Sequence, residues 1–290
     1  MITVMQKGIL YIVSTPIGNL EDITLRAIRI LKEVRLIGAE DTRRTKILLD
    51  TYGIDTPLTS LHDRNELKKS VHLIARLNEG MDIAYVSDAG TPGISDPGYI
   101  FVKQAISESI RVVPVPGPVA AIAALNVSGL PMDSFVFFAF LPSRHGKRRQ
   151  MLESIKEESK TMVFYESPNR LVAALQDINE ILGDRQIAVS RELTKIYEET
   201  LRGTASEISE SVQGKKIKGE ITLVISGALR DYTGRSAEEI RARFQEARKN
   251  PESSTRDIID SLSEELAMPR KEIYRQVIDF IKESSNNEAS

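Results

Sequence analysis

The feature that most narrows the fold is a repeated alternation in the first ~115 residues: a short apolar run, a polar turn, then a helical period. Ile9-Leu10-Tyr11-Ile12-Val13, residues 34–39, Ile83-Ala84-Tyr85-Val86 and Arg111-Val112-Val113-Pro114-Val115 read as strands. Residues 24–32, 43–52, 64–79 and 99–108 read as helices; the third carries Leu67, Val71, Ile74 and Leu77 at helical spacing. Strands alternating with helices in this way predict a parallel sheet. In such a sheet, ligands bind in the crevice beyond the carboxyl ends of the strands.

One loop at such an end stands out: Val86-Ser87-Asp88-Ala89-Gly90-Thr91-Pro92-Gly93-Ile94-Ser95-Asp96-Pro97-Gly98. Glycines let backbone approach a ligand closely, and prolines hold a loop in shape. The loop lacks lysine and is not followed by Gly-Lys-Ser/Thr, so it is not a phosphate-binding P-loop. Its two aspartates suit a neutral or cationic ligand with hydroxyls instead. The other strand ends carry the turn Ser14-Thr15-Pro16-Ile17-Gly18-Asn19-Leu20, the acids Glu40-Asp41, and Pro116-Gly117-Pro118. Acids are favourable at a helix start. Because these two lie at the crevice end, Glu40, Asp41, Arg43 and Arg44 are expected on the substrate side.

The character changes at Gly129-Leu130-Pro131. Residues 135–140, 161–165, 187–190 and 220–225 read as strands of a second α/β domain, with helices at 146–158 and 169–182 and an edge strand at 198–203. The aromatic run Phe135, Phe137, Phe138, Phe140 reads as core. In Ser143-Arg144-His145-Gly146-Lys147-Arg148-Arg149, four fixed positive charges fall within six residues, which suits phosphate contacts. Past Gly227 the chain turns charged and helical: Ser236 and Ser254 are capping residues, residues 270–282 form a third helix with Arg270, Lys271 and Arg275 at its start, and residues 284–290 are expected to be disordered. The boundaries expected are 1–117, 118–230 and 235–283. The chain has no cysteine and three scattered histidines, which argues against a thiolate nucleophile or a metal centre. The net charge of −2 gives no global attraction to nucleic acid, so any such binding must come from local patches. Without a membrane-length apolar stretch or a signal-peptide run near residue 1, a soluble cytoplasmic protein is expected.

Six segments occur in order: Pro16-Ile17-Gly18-Asn19-Leu20-Glu21-Asp22, Ala39-Glu40-Asp41-Thr42-Arg43, Ser87-Asp88-Ala89-Gly90-Thr91-Pro92-Gly93, Pro114-Val115-Pro116-Gly117-Pro118, Tyr165-Glu166-Ser167-Pro168-Asn169-Arg170 and Ser190-Arg191-Glu192-Leu193-Thr194-Lys195. Together they resemble the tetrapyrrole-methylase superfamily, with the last two resembling its branch of 2′-O-ribose methyltransferases for a decoding-region cytidine of small-subunit ribosomal RNA. The resemblance implies two α/β domains holding S-adenosylmethionine in the cleft between them, a small C-terminal helix-turn-helix-like domain, a homodimer, and a substrate within the assembled subunit. It assigns cofactor contacts to Asp88, Ala89, Gly90, Ile94 and Ser95, walled by Pro16, Val119 and Ala120. From the second domain it adds Leu141, Leu193, Glu220, Ile221 and Thr222.

A sugar hydroxyl is a weak nucleophile and needs a proton acceptor, for which Asp41, Glu166 and Glu192 are candidates. RNA contacts are expected from Glu40, Arg43, Arg44, Arg144, Lys147, Arg148, Arg149, Ser167, Asn169, Arg170, Arg191 and Lys195, with no metal. Two alternatives stay open: methylation of a tetrapyrrole or protein side chain, and a ligand-sensing DNA-binding regulator.

Overall fold

The computed structural model describes residues 6–228, 237–249, 253–266, 268 and 270–287. The chain divides into two compact units at residues 228 and 229. The first unit contains two five-stranded sheets. In the first sheet, β1 (Ile9–Val13), β2 (Leu36–Ala39), β3 (Leu58–Ser60), β4 (Ile83–Val86) and β5 (Arg111–Val115) lie in the order β3-β2-β4-β1-β5, every pair parallel. Parallel neighbours need crossover connections, which α1 (Leu25–Glu33), α2 (Thr42–Thr51), α3 (Glu66–Asn78) and α4 (Tyr99–Ser107) supply. Ala27, Leu31 and Leu48 of α1 and α2 pack with Val13, Ile37 and Val86 in one cluster. Leu73, Leu77 and Phe101 of α3 and α4 pack with Leu10, Leu36 and Tyr85 in another. With both faces covered, β2 and β4 are buried at every residue, which is why they read as unbroken apolar runs. Pro114, which lacks an N–H, is tolerated because β5 is an edge strand.

The alanine-rich α5 (Ala120–Ser128) packs on the second sheet, setting Ala121, Ala124 and Leu125 against Val163, Ala188 and Val224. That sheet consists of β6 (Phe135–Phe140), β7 (Thr161–Glu166), β8 (Gln186–Arg191), β9 (Glu199–Thr204) and β10 (Ile221–Ile225), in the order β6-β7-β10-β8-β9. It is antiparallel except for the β6–β7 pair. A second cluster, with Leu152, Leu175 and Ile208 of α6 (His145–Ser154), α7 (Leu171–Leu182) and α8 (Ala205–Val212), packs Phe164, Val189 and Leu223 of the same sheet. Ile221 pairs with both Glu166 and Arg191, and Arg191 with Glu199, so these residues mark one end of the sheet.

β3 and α8 lie outside the elements expected from the sequence. Three and eight residues are too short for periodicity to register. The aromatic run is corrected as well: β6 shifts register between Phe137 and Phe140, with Ala139 at φ +58°. Phe138 stacks on Phe164 at 5.1 Å as core, whereas Phe140 is 54% exposed.

The second unit holds α9 (Ala237–Ala247), α10 (Thr255–Glu265) and α11 (Arg270–Asn287) around Ile240, Phe244, Ile258, Leu262, Ile273 and Val277. Ser254 and Asp257 cap α10 reciprocally; the cap expected at Ser236 lies outside the described residues. Residues 284–287, expected to be disordered, continue α11. Arg270 is paired with Asp260, and Arg275 with Glu272 at 2.6 Å. The side chain of Lys271 lies outside the described residues. Among the described residues, no helix is long and apolar enough to cross a membrane.

Candidate active site

The strand order places β4 between β1 and β2, so the loops following all three meet. Thr15 and Gly90 exchange both backbone hydrogen bonds, at 2.8 and 3.0 Å, and Ser14 Oγ lies 2.7 Å from Thr91 Oγ1. Gly98, the residue before α4, has no side chain with which to cap the helix. The buried Glu66 carboxylate does so from α3, accepting from the N–H groups of Gly98, Ile100 and Phe101 at 3.0, 3.0 and 3.2 Å. Gly98 has φ +130°, and a Cβ there would fall 2.7 Å from the Tyr85 ring, so no other residue fits without displacement.

A cavity of about 400 Å³ opens beside this loop, within the range of small-molecule and cofactor sites, roughly 300–1,000 Å³. Asp88, Ala89, Gly90, Ile94 and Ser95 line it from the loop, with Glu40 from the end of β2 and Arg44 from the first turn of α2. Val119 and Ala120 contribute from the start of α5. The marked end of the second sheet adds Glu166, Ser167, Leu193, Glu220, Ile221 and Thr222. Pro16 instead borders an adjoining pocket that shares Asp88 and Arg44. Seven lining residues were given no individual site role from the sequence: Asp96, Ile17, Thr91, Phe140, Tyr165, Pro168 and Gly219. Asp96 lies within the glycine-rich loop, so its position was a signal; Phe140 was hidden by the bulge that turns it outward.

The carboxylates differ sharply in what engages them. Asp88 accepts from the Asp41 N–H at 2.8 Å and lies 3.3 Å from Arg44. Burial raises the Glu40 carboxyl above its usual range. Burial also pushes Asp96 up to about 6, reinforced by the charge of Glu40 and opposed by a hydrogen bond with Ser87. Glu166 is fully buried, paired with Arg170 at 2.5 Å and accepting from the Ser167 N–H at 2.6 Å, yet its Oε2 has no hydrogen-bond partner. Glu192 is held below its usual range by Lys195 at 3.0 Å, and Lys195 also reaches Glu220. Asp41 caps α2 and is held well below the carboxylate range by Arg43 at 2.7 Å. Asp41 and Glu192 are therefore corrected as proton acceptors: each is tied to a cation, and neither lines the cavity.

Among the expected RNA contacts, Arg144 and Lys147 are exposed, as is Asn169, whereas Arg191 is paired with Glu199 at 2.6 Å. Arg148 is corrected. Its side chain is 5% exposed and bonded to Asp177 at 2.6 Å, so it cannot reach a phosphate. Arg149 binds Asp177 and Glu180. Leu141 is corrected too, since it packs at 1% exposure in the core that holds Leu152 and Phe164.

A model of the family described as tetrapyrrole (corrin/porphyrin) methylases matches residues 9–209. Two relatives, each named ribosomal RNA small subunit methyltransferase I, come from Halalkalibacterium halodurans and Thermotoga maritima. The first is 53% identical over 221 residues, covering 76% of each chain. The second is 51% identical over 220 residues, covering 76% of this chain and 99% of its own. Among solved structures, a uroporphyrin-III C-methyltransferase from Thermus thermophilus superposes with TM-score 0.54 at 19% identity, over 79% of this chain and 98% of that one.

Proposed function

The chain belongs to the tetrapyrrole (corrin/porphyrin) methylase family, and from that premise we propose that it transfers the methyl group of S-adenosylmethionine to the 2′-hydroxyl of a decoding-region cytidine in small-subunit ribosomal RNA. On this reading it acts on the assembled subunit, as a homodimer, with residues 1–117 and 118–230 as the two lobes around the cofactor and residues 235–283 as a helical appendage. The RNA substrate follows from what its relatives are named for.

The observation that carries the reading is the composition of the cavity wall. Ile17, Ile94, Val119, Leu193 and Ile221 give it apolar surface; among the described residues that line it, Arg44 is the one cation beside the carboxylates of Glu40, Asp88, Asp96, Glu166 and Glu220. A ligand with an apolar ring, hydroxyls and a net positive end fits such a wall. The buried Glu166 Oε2 is an acceptor still without a donor. Asp88, Ala89, Gly90, Ile94 and Ser95 would hold S-adenosylmethionine from one side, and Val119, Ala120 and Thr222 from the other.

When bound, its sulfonium supplies a methyl group that is already electrophilic. The protein must then orient the ribose hydroxyl, exclude water and accept a proton; positioning alone is worth up to about 7–11 kcal/mol. Asp96 is the acceptor the wall favours, because it lines the cavity and, among the described residues, is tied to no cation. Burial, reinforced by the charge of Glu40, keeps it basic. Phe140, exposed and lining the cavity, offers a face on which a base can stack.

Incubation with methyl-labelled S-adenosylmethionine and separate RNA, DNA and protein pools tests the reading. Label is expected in small-subunit RNA and, after digestion, in 2′-O-methylcytidine; label in protein or in a tetrapyrrole would contradict it. Asp88→Ala removes a charge-bearing acceptor from the wall and is expected to weaken cofactor binding about 10–100-fold by titration calorimetry.

The pH dependence has a definite sign. Asp96 is raised to about 6, so it is protonated below that pH and cannot take a proton. The kcat/KM profile, which reports the free enzyme, is expected to rise as pH passes upward through about 6. A profile flat from pH 5 to 7 would remove Asp96 from the reaction.

A further inference from the structure

Arg148 and Arg149, half of the densest basic run, are neutralised by Asp177 and Glu180, the first pair buried and the second at the surface. Three other cations are not. Lys68, Lys69 and Arg76 of α3 line a second cavity of about 460 Å³, together with His72, Thr59 of β3 and Asn65. These helical positions recur every three or four residues, so α3 presents them as one stripe. Lys68, His72 and Arg76 are exposed and Lys69 is half-buried. Among the described residues, no carboxylate pairs with Lys68, Lys69 or Arg76, whereas Arg29, Arg43, Arg44 and Lys46 each have one within 3.3 Å. One acid, Glu79, shares the groove at its far end.

Like charges one helical turn apart oppose helix formation, and a chain with 41 Asp and Glu has carboxylates enough to pair them. Asn65, at one end of the groove, immediately precedes Glu66, whose carboxylate holds Gly98 and the start of α4.

We infer that the groove along α3 and β3 is a docking track for the phosphate backbone of the substrate RNA, engaging the strand beyond the nucleotide that reacts. This inference rests on the RNA-methylating reading above. Phosphate contacts of this kind fix register without reading sequence, and each contributes to the salt dependence of binding.

The test compares three full-length proteins on unmethylated small ribosomal subunits: wild type, the triple variant Lys68→Ala/Lys69→Ala/Arg76→Ala, and a control, Lys32→Ala/Arg111→Ala/Lys160→Ala, that removes equal charge from other exposed positions. Alanine is the strongest helix former, so α3 is retained. At about 0.1 M salt the groove variant is expected to bind subunits about tenfold or more weakly. Its slope of log affinity against log salt should be shallower by roughly 2–3. Its kcat at saturating subunit and its affinity for S-adenosylmethionine should match wild type, and the control should bind as wild type does.

Unchanged binding by the groove variant, or equal loss in the control, overturns the inference while leaving the RNA reading intact. Charged side chains can also guard a sheet edge against pairing with another copy. Self-association of the groove variant with unchanged RNA affinity would assign the lysines that role and likewise overturn the inference. A wild type that neither binds nor methylates subunits defeats the RNA reading itself, and the groove proposal with it.

Discussion

Asp96→Asn is expected to lower kcat by about 10²–10⁴-fold, the usual range for removing a positioned proton acceptor, while leaving affinity for S-adenosylmethionine within a few-fold. The substitution keeps the size of the side chain and its hydrogen-bonding capacity toward Ser87, but it removes the basic oxygen. Its effect on stability should run opposite to its effect on rate. The Asp96 carboxyl is raised from 3.8 to about 6 in the fold, so between those pH values the folded state binds more protons than the unfolded one. By linkage, stability then falls as pH rises through that window, and at neutral pH the ionised side chain is a burden on the fold. The neutral asparagine removes that burden. A variant at least as stable as wild type to urea, yet nearly inactive, separates a catalytic role from a structural one. Activity within threefold of wild type would assign the proton to another group, with Glu40 next in line because burial raises it and it lines the same cavity.

Arg148→Ala is expected to destabilise the first unit by about 3–5 kcal/mol, as removing one partner of a buried ion pair does. Arg148 and Asp177 are 5% and 6% exposed, with Nε and Nη2 of the arginine at 2.7 and 2.6 Å from the same carboxylate oxygen. The pair joins α6 to α7, and its loss strands a carboxylate whose remaining side-chain partners among the described residues, Arg149 and His145, each lie at more than 3 Å. Replacing both partners with apolar residues of similar size, Arg148→Met with Asp177→Leu, should recover most of the loss. Urea midpoints of the single and double variants check both statements. A phosphate-contact role predicts the reverse: unchanged stability and weaker RNA binding at low salt.

The parallel sheet was legible because β2 and β4, buried on both faces, left continuous apolar runs ending in glycine, proline and acidic loops. Eleven of the expected cofactor residues, from Asp88 in the loop to Thr222 in β10, line one cavity, because loops at strand ends are brought together by strand order. The part that stayed illegible depends on partners distant in sequence. A cationic run looks the same whether it faces solvent or Asp177, 29 residues from Arg148. The proton acceptor was sought among Asp41, Glu166 and Glu192, since nothing in a sequence tells a carboxylate tied to a nearby cation from one left free in a cavity. Phe140 was concealed by a register shift, which alternation of residue types cannot encode.

The most direct test of the account is a calorimetric titration of S-adenosylhomocysteine into wild type and into Ala120→Phe, whose ring would fill the cavity from the start of α5. Saturable binding of one equivalent per chain by wild type, lost in the filled variant that still folds, is the predicted result. No heat of binding from wild type, or equal affinity in the two proteins, would contradict the claim that this cavity holds the methyl donor.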